Sequence, residues 1–126
     1  MILLTTPGAE YVEHILELLE PVGMLQASRF FGGVRLSTGF VQFAMMMGKS
    51  LYFVVDDDTQ RKYEQAGMGP LSYQTKKGRI EMRRYFEVPE DVLSVAEQLR
   101  HWAKEAMLVA EKTKKPNKTT KRISLS

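Results

Sequence analysis

The sequence predicts an α+β domain of two layers, in which three helices pack on an antiparallel sheet of about five or six strands. Two observations lead to this class. A segment near each end repeats apolar residues with the period of an amphipathic helix, and the stretch 25–55 contains short apolar runs separated by glycine-containing turns. A shorter helix and a second hairpin lie between these parts, so the predicted order of elements is α-β-β-β-β-α-β-β-α.

The first helix is predicted from its beginning and its period. Thr6 is a favourable N-cap, and Pro7 fits the first helical position, where the N–H that proline lacks would have no partner within the helix. Val12, Ile15 and Leu19 then follow the i, i+3, i+7 spacing of one apolar stripe. We therefore expect one face of this helix to be buried.

The next segment predicts an antiparallel meander of three or four strands. One glycine pair and two single glycines interrupt it at hairpin spacing. The run 40–46 is apolar on both alternating faces, with Gln42 as its one polar residue. Antiparallel sheets in small domains usually have one polar face exposed to water. We therefore expect the second face to be covered as well. The commonest way is a second copy of the chain related by a twofold axis, so we predict a homodimer.

The second half of the chain predicts two further helices and a hairpin. Asp58 is a reasonable N-cap for a short helix that Gly67 ends. A second hairpin follows over 71–86. Ser94 and Glu97 have the spacing of a capping box in front of the last and longest helix.

Length and composition limit the class of protein. The 126 residues fit one domain, predicted at 1–111, followed by a disordered basic tail at 112–126. The chain has no cysteine, which excludes disulfides and thiolate chemistry. It has no apolar run of about 20 residues and no signal-peptide pattern at its beginning. We therefore expect a cytoplasmic protein that does not span a membrane.

Basic residues are distributed unevenly along the chain. Residues 1–111 contain 12 basic and 15 acidic side chains, whereas 112–126 contains six basic and no acidic ones. A second basic cluster falls on the hairpin. Both clusters can contact DNA phosphates. The candidate nucleic-acid-binding residues are Lys76, Lys77, Arg79, Arg83, Arg84, Lys112, Lys114, Lys115, Lys118, Lys121 and Arg122.

The hairpin candidates have a defined arrangement on a two-stranded ribbon. Arg79 and Arg83 are predicted to share a face, alongside Tyr73 and Tyr85. Two alternatives stay open. Charges on a hairpin can protect an edge strand from aggregation, and a basic tail can serve solubility without any partner.

No arrangement of residues in the sequence indicates catalysis. The run Asp56-Asp57-Asp58 could bind a hard cation, but no further carboxylate follows nearby, and a helix N-cap is the preferred interpretation. His14 and His101 belong to no metal-ligand or nucleophile motif. We therefore expect a protein that is not an enzyme, with no catalytic residue, no metal and no cofactor.

Six segments, in the right order, resemble the N-terminal domain of the TfoX/Sxy competence-regulator family. They are 29–36, 39–44, 51–56, 66–73, 85–93 and 99–103. The first contains Arg-Phe-Phe-Gly-Gly, which is similar to the family's Arg-Met-Phe-Gly-Gly. The residues that match the family motif, with structural roles expected, are Arg29, Phe30, Phe31, Gly32, Gly33, Tyr52, Tyr85 and Pro89.

The resemblance implies a two-layer fold with an antiparallel sheet and a non-enzymatic role. The family assists transcription of DNA-uptake genes, in some members together with the cyclic-AMP receptor protein. It therefore implies DNA, a transcription factor of that kind, or both as partners. The alternative is a small-molecule-binding or hydrolytic domain that uses a cleft near Tyr52, Tyr73 and the turn at 56–58.

Overall fold

A computed structural model of the chain describes residues 8–30, 32–39 and 41–114. Its elements, in chain order, are α1 (Ala9–Leu19), a 3₁₀ turn (Glu20–Val22), β1 (Leu25–Phe30), β2 (Gly33–Thr38), β3 (Val41–Met47), β4 (Ser50–Val54), α2 (Asp57–Gln65), β5 (Pro70–Thr75), β6 (Gly78–Glu87), α3 (Glu90–Leu93) and α4 (Ala96–Lys114). None of the described helices combines the length and the apolar character needed to cross a bilayer.

The six strands form one antiparallel sheet in the order β1-β2-β3-β4-β6-β5. The first four strands make the predicted meander, and β6 then joins β4 through pairs such as Phe53 with Phe86. β1 and β5 lie at the two edges. The predicted α+β class and the order of elements are confirmed, and α3 adds one short helix to the predicted three.

The core lies between α4 and one face of the sheet. Leu99, Ala103 and Ala106 of α4 are buried in the same cluster as Ala44 and Phe53 of the sheet. The two small alanine side chains let the α4 backbone approach the strands closely, so a long helix packs on a sheet that carries larger side chains.

α1 adds its apolar stripe to this core, and the three stripe residues predicted from the spacing are all buried. The helix is preceded by Gly8 at the N-cap position, while Thr6 and Pro7, predicted to begin it, lie outside the described residues. Near its other end, Arg100 Nε donates a hydrogen bond of 2.6 Å to the carbonyl of Leu18. This bond joins α4 to the last turn of α1.

The opposite face of the sheet carries a row of cross-strand partners. Arg35, Met45, Tyr52 and Glu87 lie side by side across β2, β3, β4 and β6. Met45 is only 2% exposed although it lies outside the core cluster. The apolar character predicted for both faces of β3 is therefore present at Met45, with polar residues around it. The homodimer inferred from that pattern stays a prediction.

Two helix ends differ from those predicted. α2 is capped by Asp56 and not by Asp58, because Asp56 is the residue with extended backbone where the chain leaves the sheet. Gly67, with φ of +83°, ends this helix region as predicted. The hydroxyl of Ser94 donates to the carbonyl of Asp91 at 3.3 Å, so Ser94 closes α3 and does not form the predicted capping box of α4.

Candidate nucleic-acid interface

The predicted basic hairpin is formed by β5 and β6 at one edge of the sheet. Lys76 and Lys77 make its two-residue turn, and both are exposed. The hydroxyl of Thr75 donates to the carbonyl of Gly78 at 2.7 Å and accepts the N–H of Lys77 at 3.2 Å. These bonds order the backbone of the turn, so the two exposed lysines lie at the tip of the hairpin.

Arg79 and Arg83 share a face of β6, as the alternation of side chains predicts, but a carboxylate lies between them. Glu81 pairs with Arg83 at 3.0 Å, and Arg79 donates to the hydroxyl of Ser72 at 2.8 Å. The register of the hairpin places Tyr73 on the opposite face from Arg79, so the predicted neighbourhood of these two residues is wrong. The role of Glu81 was missed, although the same alternation could have indicated it.

Arg84 lies at the junction of β6 with the beginning of α2. Its carbonyl accepts the N–H of Val55 at 2.7 Å. A cavity of about 400 Å³ opens here, and its lining residues are Val55, Asp56, Asp57, Gln60, Arg83 and Arg84. Because aspartates and arginines both line this space, the cavity has mixed charge and is not a dedicated anion pocket.

The end of α4 lies beside this cavity. Lys112 Nζ is 3.3 Å from Asp56 Oδ2, which joins α4 to the cap of α2. The helix continues to Lys114, past the boundary predicted between 111 and 112, and nothing is described of the Lys114 side chain. The remaining predicted basic residues lie outside the described residues; they are Lys115, Lys118, Lys121 and Arg122. Lys112 thus contacts Asp56, which lines the same cavity as Arg83 and Arg84.

Asp56 is electrostatically adapted to this position. The N–H of Thr59 donates to Asp56 Oδ1 at 2.8 Å, and this hydrogen bond, followed by the ammonium of Lys112, lowers the pKa of Asp56. Asp56 is therefore charged at neutral pH. Part of the positive charge of Lys112 is consequently neutralised within the fold.

The first family motif forms the β1–β2 turn. Gly32 has φ of +84°, a backbone conformation that favours glycine, and Gly33 begins β2 as a buried residue. Arg29 is exposed on β1. Phe30 ends β1 and Phe31 lies outside the described residues. The described part of the motif therefore contributes to a turn, and the structural role expected for the whole motif stays a prediction.

Tyr85 lies on the second face of the sheet. Gln42 Nε2 donates a hydrogen bond of 3.0 Å to the Tyr85 hydroxyl oxygen. Burial raises the pKa of Tyr85, and the hydrogen bond to Gln42 and the nearby Arg84 and Arg35 only partly oppose this. The phenol therefore stays neutral at physiological pH and serves as a structural contact between β3 and β6.

Tyr52 and Pro89 complete the family motif. Tyr52 is half-buried on β4, and burial raises its pKa despite the nearby Ser50 hydroxyl. Ser50 itself donates to Glu87 Oε2 at 2.8 Å, which links β4 to the end of β6. Pro89 is buried at the N-cap position of α3. These contacts fix the exit of β6 and the beginning of the helical C-terminal part.

The alternative small-molecule cleft does not form between the two tyrosines that predict it. Tyr52 pairs with Glu87 at one end of β6, whereas Tyr73 pairs with Ile80, seven positions away along that strand. Seven strand residues span roughly 23 Å. The two tyrosines therefore lie too far apart to line one small cleft.

The run of three aspartates forms the beginning of a helix. Across the described part of the chain, no group of three or more His, Asp or Glu side chains is placed to hold a metal ion. His14 and His101 are exposed on different helices, α1 and α4. The first of the three aspartates, Asp56, is the N-cap of α2.

Comparison with protein-family models matches residues 17–110 to the TfoX N-terminal domain. The match includes the whole sheet, the β5–β6 hairpin and α4 up to Ala110. No curated protein matches the chain by sequence. Because the family match covers most of the chain and includes the motif residues described above, the chain belongs to the TfoX N-terminal domain family.

Proposed function

We propose that the protein is a non-enzymatic regulatory protein that contacts duplex DNA through a basic surface made by the β5–β6 hairpin and the end of α4. One observation carries this proposal. Asp56 contacts Lys112 and lines a cavity with Arg83 and Arg84, so the two basic parts of the sequence converge on one side of the fold.

The charges of this surface favour contact that depends strongly on salt. The hairpin has five basic residues and one acidic residue, Glu81, between 70 and 86, and the segment 112–126 adds six basic residues. Each phosphate that such a residue neutralises releases counterions and steepens the salt dependence of binding. Phosphate contacts position a protein on DNA but do not read its sequence. Sequence selection therefore requires a second protein.

The finer role follows from the family resemblance. TfoX/Sxy regulators assist transcription of DNA-uptake genes, and we extend that role to this chain. A transcription factor similar to the cyclic-AMP receptor protein then supplies the sequence selectivity that a basic surface lacks. This role belongs in the cytoplasm of a bacterial cell, where the DNA is.

The test is fluorescence anisotropy of a labelled duplex, titrated with the full chain at several salt concentrations. Lys76→Ala/Lys77→Ala removes two exposed ammonium groups at the hairpin tip without touching the core. We expect the slope of the logarithm of the binding constant against the logarithm of salt concentration to decrease by about two units. We also expect the affinity of this variant for DNA to fall by the same factor for every duplex sequence.

A matched double variant controls for net charge. Lys49→Ala/Lys104→Ala removes two exposed lysines from the β3–β4 turn and from α4, away from the hairpin tip. We expect it to keep the salt slope of the unmodified chain. An equal loss in both double variants would show that net charge and not this surface governs binding. No binding by the full chain at low ionic strength would overturn the DNA contact itself.

A further inference from the structure

The two edges of the sheet differ in how they are protected. An edge strand offers unpaired backbone groups to any other strand, and proteins usually block it with proline, lysine or irregular pairing. The edge strand β5 has all three features. Pro70 begins it, its pairing with β6 shifts between Pro70 and Leu71, and Lys76 and Lys77 follow it. β5 is therefore a poor surface for the addition of a strand.

The other edge strand, β1, has none of these features. Its six residues pair with β2 in one unbroken register. Gln26, Ala27 and Ser28 at its middle are exposed, and none has a charged or bulky side chain. Met24, which precedes the strand, is 88% exposed. β1 thus presents an accessible edge of unbroken register beside an exposed apolar side chain.

Symmetry limits how a second copy can pair with β1. Two identical strands extend an antiparallel sheet only through a twofold axis perpendicular to the sheet, because opposed residues must point to the same face. The axis therefore lies midway between the two copies of one residue, and the two central candidates in β1 are Ala27 and Ser28. Pairing around Ala27 sets Arg29 opposite Leu25 of the second copy. Pairing around Ser28 sets Arg29 opposite Ala27 instead.

Charge complementarity favours the first arrangement. Arg29 pairs within its own sheet with Val34, a core residue, so Arg29 and Leu25 lie on the face that carries the helices. Leu25 lines a groove together with Glu17 and Glu20, which are exposed carboxylates. An arginine placed opposite Leu25 therefore lies beside two carboxylates. The twofold axis repeats this contact at the other end of the strand pair.

We propose that two copies of the chain join through β1, paired around Ala27, into one twelve-stranded antiparallel sheet. Arg29 of each copy faces Glu17 and Glu20 of the other. The backbone ladder supplies the affinity, and the charges at the two ends of the strand pair fix its register.

An introduced cysteine reports the register directly, because the chain has none of its own. Opposed residues on antiparallel strands have Cα atoms about 4.5–5.5 Å apart, which suits a disulfide. Ala27→Cys is expected to give a disulfide-linked dimer on mild oxidation, seen on a non-reducing gel. Ser28→Cys is the matched control, since its symmetry mate lies roughly 8 Å away, beyond disulfide reach.

Sedimentation velocity of the full chain measures the association itself, with a dimer at twice the 14.4 kDa of the monomer. Arg29→Glu sets like charges against each other and is expected to raise the dimer dissociation constant by about tenfold or more. Glu17→Arg/Glu20→Arg combined with Arg29→Glu restores association. Arg61→Glu, an exposed charge reversal on α2, leaves it unchanged.

Three results would overturn the proposal. The first is a monomer at every concentration measured. The second is a dimer in which Ser28→Cys cross-links more readily than Ala27→Cys, since the register would then be wrong. The third is equal association of Arg29→Glu and Arg61→Glu, since the ion pairs would then be absent and another surface would hold the dimer.

Discussion

Asp56 holds two helices in place with one carboxylate. Its backbone is extended, and it shares a reciprocal capping box with Thr59, in which the two hydrogen bonds measure 2.8 and 3.0 Å. Its second oxygen contacts Lys112 at 3.3 Å. Removal of this side chain therefore leaves the N–H of Thr59 at the beginning of α2 without its acceptor. It also removes the ion pair with Lys112 at the end of α4.

Asp56→Ala is expected to lower the free energy of unfolding by about 1 kcal/mol at pH 7. The pKa of Asp56 is lowered by the hydrogen bond from Thr59 and by Lys112. A carboxyl group with a lowered folded-state pKa stabilises the fold above its unfolded pKa, and this stabilisation is lost as pH falls through the folded value. The difference between wild type and variant should therefore shrink below about pH 4. Urea unfolding at several pH values measures it.

Asp58→Ala is the matched control for this prediction. Asp58 lies exposed in the first turn of α2, where a carboxylate interacts only with the helix dipole. We expect a loss of a few tenths of a kcal/mol. If Asp58→Ala destabilised the protein more than Asp56→Ala, the sequence-based choice of cap would be right and the observed capping box unimportant.

The sequence located this helix beginning but could not select its cap. Aspartate is favourable at an N-cap, so three in a row give no preference among them. The choice depends on where β4 ends, which is fixed by the pairing of Val54 with Tyr85. That pair is distant in sequence. Local patterns therefore predicted the element, whereas the residue required knowledge of the sheet.

Aromatic and charged side chains join α2 to α4. The rings of Tyr63 and Trp102 meet edge to face with centroids 4.8 Å apart. Lys62 Nζ lies 4.0 Å from the centre of the Trp102 ring and 2.6 Å from Glu105 Oε1. That oxygen is buried and accepts no well-aligned hydrogen bond from the described residues, so its contact with Lys62 is an ion pair. Trp102 therefore contacts both Tyr63 and Lys62, and Lys62 in turn pairs with Glu105.

Trp102→Ala is expected to lower the free energy of unfolding by about 2–4 kcal/mol, because it removes the ring against which Tyr63 and Lys62 pack. Leu108→Ala is the matched control on the same helix, since Leu108 is 62% exposed, and it should change stability by less than about 0.5 kcal/mol. Circular dichroism should be used to follow the unfolding, because Trp102→Ala removes the chain's one tryptophan and so its tryptophan fluorescence. Equal effects of the two variants would contradict the contact described.

Element types were readable from the sequence, but their neighbours were not. Glycine-containing turns and helical periods predicted about five or six strands and the main helices in order, because these signals are local. The position of β6 between β4 and β5 depends on pairs such as Phe53 with Phe86. The position of Arg84 beside Asp56, which Lys112 contacts, depends in turn on that order. For the same reason the sequence could list candidate phosphate contacts without showing which of them lie together.

The two proposed surfaces lie at opposite edges of the whole sheet. β1 and β5 are its outermost strands, so a pair joined at β1 carries one basic hairpin at each far end. Twelve strands spaced about 4.8 Å apart separate the outer strands by roughly 50 Å before twist is considered. A duplex of about 15 base pairs covers this distance. Only a longer duplex can therefore contact both hairpins at once.

Duplex length should consequently separate a dimer from a monomer in DNA binding. We expect the unmodified chain to bind a duplex of about 30 base pairs at least tenfold more tightly, per available position, than one of about 12, because the second contact becomes intramolecular. Arg29→Glu should lose this preference and keep the affinity for the short duplex, with Arg61→Glu as control. Fluorescence anisotropy at fixed salt measures both. If Arg29→Glu lost binding to the short duplex, Arg29 would be part of the DNA contact itself. If the unmodified chain bound both lengths with equal affinity, the two hairpins would never contact one duplex together.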